Sequence, residues 1–269
     1  MKIVSFNINS IRARPHQLIH LRDTIDPDVI GIQETKVNDP EFPIDEIKEI
    51  GYHSEFWGQK GHYGVAILSK KKPDSVQKGF AGDTGDDQKR FIQATFKWKK
   101  KNITIMNGYF PQGENRSHET KFPKKIKFYD DLEKHIKKLK KKEENLIVMG
   151  DFNDEPSDKS IAEVLDVSCN QSNTAKGQFF NAFCDIEKAG KGSYLYRDSW
   201  DMLDQIMVSS TLLSDTNAIH FKNNSATIKS ETWMLQTGKY EGYPLRTYGG
   251  NTYLNGYSDH LPVFILLQN

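Results

Sequence analysis

Several stretches of this chain end or begin an apolar run on groups capable of acid, base or metal chemistry. Leu146-Ile147-Val148-Met149 runs through Gly150 into Asp151, Phe152 and Asn153. Asp28-Val29-Ile30-Gly31-Ile32 runs through Gln33 into Glu34, and the alternating stretch from Lys2 ends in Asn7 and Asn9. Asp259-His260 stands in front of a last apolar run beginning at Leu261. A carboxylate beside an amide suits phosphate chemistry: one orients a proton or a cation, the other donates to an oxyanion. Alternation in an extended chain sends Asp151 and Asn153 to one side and Phe152 to the other. Asp, Asn and Gly are also common turn residues, so 150–153 alone reads equally well as a turn. The recurrence of polar tips at strand ends favours a shared site, because ligands of α/β sheets sit beyond the strand ends.

The other candidates each carry a plainer reading. Glu34 closes an apolar strand, where a buried carboxylate is costly unless paired or metal-bound, but it would be cheap as an exposed strand end. His260 suits a general base or an imidazolium that stabilises a phosphorane-like charge, though a His beside an Asp is more often structural. Asp204, among apolar residues of Met202–Ser209, is the candidate to orient it. Tyr109, before the turn Phe110-Pro111-Gln112-Gly113-Glu114, either donates to a phosphate or packs. Arg90 either meets a phosphate backbone or opens a strand in solvent, and Lys60-Gly61-His62-Tyr63-Gly64 reads as a phosphate-contacting loop. The lysines of 124–142 read as a solvated helix face rather than a DNA tract, because Asp130, Asp131, Glu133, Glu143 and Glu144 dilute them.

The elements that must position these groups follow from periodicity. Strands are expected at 2–9, 28–34, 64–69, 90–98, 102–109, 146–149 and 202–209, with a last one after His260. Helices are expected near Pro15–Asp26, at 160–165, and over 123–142 with Phe128, Leu132, Ile136 and Leu139 as its buried stripe. Residues 2–34 form a strand–helix–strand crossover unit, Tyr194–Trp200 an aromatic turn region, and 238–257 a long loop. The 269 residues, 36% hydrophobic and 27% charged, fit one large globular α/β domain. No apolar run approaches the roughly 20 residues of a membrane span. Met1–Phe6 enters strand pattern without a signal-type apolar segment, and Cys169 and Cys184 make neither a metal spacing nor a disulfide framework. Both points favour a cytoplasmic, reducing setting. The formal charge of +1 leaves any basic surface to be local.

Taken together, the motifs resemble a known family. Phe6-Asn7-Ile8-Asn9, Gln33-Glu34-Thr35-Lys36, Gly58–Val65, Asn107–Gly113 and Gly150-Asp151-Phe152-Asn153 follow one another as in the exonuclease III and AP endonuclease family. Residues 1–153 resemble it nearly continuously, and Ser258-Asp259-His260 completes the pattern of the wider endonuclease/exonuclease/phosphatase superfamily. The resemblance implies a four-layered α/β sandwich, two packed mixed β-sheets flanked by helices, in a single domain over 1–269. It implies a Mg²⁺- or Mn²⁺-dependent phosphodiesterase on duplex DNA that cuts 5′ to abasic sites and removes residues 3′→5′, acting as a monomer away from membranes. Glu34 would anchor the metal, with Asn7 and Asp259 nearby. Asp151 would orient or deprotonate the attacking water, Asn153 and Tyr109 would hold the scissile phosphate, and His260 with Asp204 would stabilise the transition state.

The likeness breaks after about residue 154. Asp154-Glu155-Pro156, Tyr196–Gln205 and 238–260 resemble other superfamily branches, and the arginine-containing loop that precedes the aspartate corresponding to Asp204 is shortened here. Trp200 and Leu203 either wall a flipped abasic sugar or belong to the core. The chain therefore reads as a mosaic with a seam near 150–156. Two rivals remain: a phosphoesterase of the same fold on another substrate, such as a nonspecific nuclease or a phosphatase of small or lipid phosphates, and a non-catalytic binding module. Every expected catalytic residue type is present, which speaks against the second.

Overall fold

The computed structural model describes residues 1–83, 88–98, 101–140, 145–249 and 252–269. Two mixed sheets face each other. The first runs His220–Phe221, Val263–Gln268, Lys2–Asn7, Val29–Gln33, Val65–Ser69, His53–Trp57, with Thr227–Ile228 also against Val263–Gln268. The second runs Ser75–Lys78, Phe91–Trp98, Lys101–Tyr109, Asn145–Asp151, Asp204–Ser209, Phe179–Asn181, Val167–Ser168. Each sheet draws strands from both halves of the chain.

Burial follows the sequence pattern. Ile3, Val65, Ile67, Ile105, Ile147, Met149, Ile206 and Val263 fill the space between the sheets. Outside the first sheet, Leu18 and Leu21 of the Pro15–Thr24 helix cover Val4, Phe6, Ile30 and Ile32. Outside the second, Phe128, Leu132 and Ile136 of the Lys121–Lys140 helix, spaced one turn apart, cover Met106, Leu146, Val148 and Phe152. The result is helix, sheet, sheet, helix: the expected four-layered sandwich. Strand–helix–strand over 2–33 is the expected crossover, since Ile3 pairs in parallel with Val29.

Two features, a glycine and a buried side-chain amide, hold the sheets at the spacing the site needs. A Cβ at Gly31 would crowd the end of the flexible Met149 side chain and lie 2.9 Å from Asn107 Oδ1, so a larger residue would displace the methionine or the bonded amide. Through that gap Asn107 reaches across, donating to the Ile32 and Ala66 carbonyls at 2.9 Å each and accepting from Gln33 Nε2 at 2.6 Å. A buried amide with all these partners stabilises one relative placement of the sheets.

Several expectations need correction. The long helix starts at Lys121, two residues before Pro123, which sits in the first turn where its missing N–H is harmless. Its expected end at 141–142, and the hairpin tip at 99–100, lie outside the described residues. The expected helix at 160–165 forms as one π-type turn, Ser160–Val164, with Leu165 as its C-cap. Tyr194–Trp200 is part of a two-stranded ribbon, Tyr194–Tyr196 against Ser199–Asp201, because Arg197 and Asp198 both take left-handed conformations and reverse the chain. The loop 238–257 carries a second ribbon, Tyr248–Gly249 against Thr252–Tyr253. Asp204 opens its strand rather than sitting within it.

Cys169 and Cys184 form a disulfide, with Cα atoms 5.5 Å apart. The chain turns back between Val167–Ser168 and Phe179–Asn181, bringing together cysteines 15 residues apart. Spacing alone does not reveal such a turn, and the bridge removes the cysteine argument for a reducing setting. No helix among the described residues is long and apolar enough to cross a membrane. Replacing both cysteines with serine is expected to cost ~3 kcal/mol of stability, the loop-closure value for a ring of about this size. Thermal melts followed by circular dichroism check it; identical melting of the parent with and without reductant would show that the bridge contributes nothing.

Candidate active site

The site lies where strand ends of both sheets meet. In the second sheet Tyr109 and Asp204 both pair with Asp151, from opposite sides. Directly paired residues of neighbouring strands share a face, so the phenol and the two carboxylates line up in one row. In the first sheet Asn7 pairs with Gln33, and Glu34 follows at once. Asn9, Glu34 and Asn153 all have left-handed backbone, φ 49°, 52° and 48°, just past their strand ends. For Glu that conformation is uncommon, and such strain is tolerated mainly where function fixes a side chain.

One buried amide joins the two sheets at the centre. Asn7 Nδ2 donates to Glu34 Oε1 and to Asp151 Oδ2, each at 2.9 Å. Asp151 Oδ1 accepts from the Asn153 backbone N–H at 3.0 Å, and Asn153 Nδ2 donates to the Phe110 carbonyl at 2.9 Å, leaving the second amide hydrogen for a ligand. Tyr109 donates its hydroxyl to Glu34, and its phenol is pushed up by burial and by the carboxylates of Glu34 and Asp151. Glu34 stays below the ordinary carboxylate range: burial opposes its charge, but Lys36, Asn7 and Tyr109 outweigh burial.

His260 completes the row. Its Nδ1–H donates to Asp204 Oδ2 at 2.7 Å, and Nε2 stands 4.0 Å from Asp151 Oδ2. Asp204 Oδ2 also accepts from Ser193 Oγ at 2.7 Å, while Asp204 Oδ1 is buried without a partner. Burial disfavours the imidazolium, yet Asp204 and Asp151 overcome it and raise His260 to about 10. Burial, partly offset by His260 and then reinforced by Asp204, pushes Asp151 up to about 7. Ser258 Oγ donates to the Asn7 carbonyl at 2.8 Å, which fixes this tip of the last strand against the first.

The expected residues converge with differences of detail. Asp259 does not touch Glu34; its Oδ1 accepts from Asn9 Nδ2 at 2.8 Å, and Lys36 Nζ then links Asn9 Oδ1 and Glu34 Oε2 at 2.5 and 2.6 Å. Arg90 is half-buried rather than an open strand start. Its guanidinium lies over the Tyr63 and Tyr109 rings at 4.4 and 4.6 Å and donates to the Tyr109 carbonyl, so it braces Tyr109. Lys60 is exposed, and its backbone N–H bonds Asn38 Oδ1. Trp200 and Leu203 are half-buried and outside the core clusters; the Leu203 carbonyl accepts from Phe152 N. Asn9 and Lys36 stand within sequence motifs but gain a part in the site only here, and Ser193 emerges only from the structure. The first two flank recognised motif residues, and no sequence signal marks Ser193.

The donor set suits a hard divalent cation. Glu34, Asn7, Asn9 and Asp259 offer oxygen only, no thiol or free imidazole is among them, and the Lys36 ammonium already bridges two of these oxygens. Among the described residues no group of three His, Cys, Asp or Glu side chains forms a ready-made metal cage, so amide oxygens and solvent would complete any coordination.

Both shifted groups tie stability to pH in the same direction. The folded chain holds the Asp151 proton up to about 7 rather than 3.8, so stability falls as pH rises across that window. The His260 pairing contributes fully below 6.5 and is lost as pH climbs through about 10. In chelator, Asp151→Asn is expected to flatten the decline between about pH 4 and 7 and leave a decline at higher pH. Melting temperatures across that range measure it, and equal slopes for parent and variant would remove the assignment.

A model of the Endonuclease/Exonuclease/phosphatase family matches residues 83–269. Exodeoxyribonuclease III of Haemophilus influenzae is 51% identical over 161 residues, 60% of this chain and 60% of that protein, so the chain spans about three-fifths of this relative's length. Among solved structures, a 3′-5′ exonuclease from Neisseria meningitidis superposes with a TM-score of 0.76 at 23% identity over 99% of both chains. An AP endonuclease from Archaeoglobus fulgidus superposes with 0.72 at 24% identity over 99% of this chain and 98% of its own. Both share the fold. With the family pattern running through most of its length and the paired acid, amide and imidazole groups at the strand ends, the chain belongs to the Endonuclease/Exonuclease/phosphatase family.

Proposed function

We propose that the chain is a divalent-metal-dependent phosphodiesterase acting on DNA, cutting 5′ to abasic sites and removing residues 3′→5′. The observation that carries this is the row Tyr109–Asp151–Asp204–His260 joined through Asn7 to Glu34. The identity with exodeoxyribonuclease III supports DNA as the substrate. All the groups come from one chain, which suits a monomer.

The residues divide the work. Above about pH 7 the Asp151 carboxylate accepts a proton from the attacking water. His260, held cationic by Asp204, neutralises charge building on the phosphoryl oxygens. Asp204 and Ser193 fix the imidazole so that Nε2 faces the reaction. The free N–H of Asn153 and the Tyr109 hydroxyl, once it turns from Glu34, hold the scissile phosphate. Glu34, with Asn7 and with Asp259 reached through Asn9, would hold Mg²⁺ or Mn²⁺, which when bound offsets phosphate charge and helps orient the ester.

In our reading the resemblance to exonuclease III ends after residue 154, and the 51% identity extends over 60% of the chain. We read this as a mosaic joined near 150–156, folded as one domain. It keeps open the rival of another phosphate ester as substrate. Cleavage of an abasic-site duplex, beside a nucleotide and a lipid phosphate, separates them: turnover of the duplex and its abolition by chelator are expected. Turnover confined to the small phosphates would overturn the DNA reading.

Asp151→Asn and His260→Ala are each expected to lower kcat by roughly 10²–10⁴-fold with a much smaller change in KM. Glu34→Gln is expected to raise the Mg²⁺ concentration needed for half-maximal rate. Steady-state kinetics over a metal titration measure all three, and a Glu34→Gln or His260→Ala variant as active as the parent would show that the site is misplaced.

A further inference from the structure

Aromatic side chains are concentrated on the rim that the second half builds around His260. The Tyr194 ring packs against His260 at 4.8 Å, and Tyr194 bridges to it through the backbone. Two residues on, and so on the same face of that ribbon, Tyr196 is 50% exposed with the Arg197 guanidinium over its ring at 5.0 Å. The second ribbon pairs Tyr248 with Tyr253, rings 5.3 Å apart and 53% and 55% exposed.

This second ribbon grows out of the catalytic tip. Leu254 N donates to the Thr247 carbonyl, Thr247 Oγ1 to the Gly256 carbonyl and Tyr257 N to the Leu245 carbonyl, and Ser258-Asp259-His260 follows directly. Arg246, at its root, bonds the Tyr194 hydroxyl and lies near Asp259, tying the two ribbons together. The buried Arg14 guanidinium is within electrostatic reach of Tyr248, Tyr253, Asp259 and Glu34. Exposed aromatic rings with interleaved arginines, continuous with a phosphodiester-cleaving centre, have one chemical partner in common: a strand whose bases are free to stack and whose phosphates are anionic. In an intact duplex both faces of an interior base are already stacked, so these rings would find no surface there.

We propose that the tyrosine rim formed by Tyr196, Tyr248 and Tyr253 binds the unpaired bases of a single-stranded DNA segment beside the scissile phosphate, giving the enzyme a preference for 3′ overhangs and frayed ends over blunt duplex. This rests on the DNA reading of the same site. The enzyme's affinity for a labelled single-stranded oligonucleotide, a 3′-overhang duplex and a blunt duplex is measured by fluorescence anisotropy in calcium, beside cleavage of an abasic-site duplex in magnesium. The parent is expected to bind the first two more tightly than the third. Tyr196→Ala, Tyr248→Ala and Tyr253→Ala should each weaken single-strand binding roughly tenfold, and the Phe variants should keep it. Unaltered melting curves exclude misfolding of the variants. A parent that cleaves the abasic duplex yet binds single strands no better than blunt duplex, or Ala variants that weaken both alike, overturns the rim proposal alone. A parent that cleaves no DNA overturns the reading beneath it.

Discussion

Asp151 and Asp204 face each other across an antiparallel strand pair, both buried, and two like charges so placed repel strongly in a poorly hydrated interior. The arrangement is stable because an imidazolium stands against both, bonded to one and 4.0 Å from the other. Every other feature of the site serves this trio. The Asn7 amide supplies Asp151 with a donor, Ser193 supplies Asp204 with one, and the Ser258 bond pins the tip that carries His260. The raised protonation of Asp151 comes first from burial, which His260 partly offsets and Asp204 reinforces.

Much of this was legible from residue order alone. The polar tips at Asn7, Glu34, Asp151 and His260 announce themselves because each adjoins an apolar run, and burial of that run determines where its tip must lie. The apolar stripe Phe128–Leu132–Ile136 likewise fixes a helix face. What stayed hidden depends on pairing between distant segments. Arg90 looks like a solvated strand start until Tyr63 from a loop and Tyr109 from a neighbouring strand end close over it. Ser193 has no flanking pattern, and it matters only because its ribbon passes beside both Asp204 and Leu261. The disulfide is a third case, since its two sulfurs meet through a turn built by weak, short strands.

The halves of the site differ in how their charges are handled. On the first sheet an amine from the chain itself, Lys36, satisfies Glu34 and Asn9. On the second, His260 does the same for two carboxylates. The cation of the first cluster is a half-buried, flexible side chain, whereas the cation of the second is a buried ring held by the carboxylates it meets. In the proposed reaction a phosphate between them would meet a flexible positive side and a fixed one.

The Asn107 amide, wedged through the gap left by Gly31, bonds two carbonyls and a glutamine of the opposite sheet. It acts as a dowel: neither sheet can slide along the other without stranding several buried polar atoms. Relative placement of Glu34 and Asp151 is thereby guaranteed by the interior, remote from any surface loop. Rim segments can be lengthened, shortened or exchanged wholesale, and the acid, amide and imidazole remain in alignment while the surface around them changes.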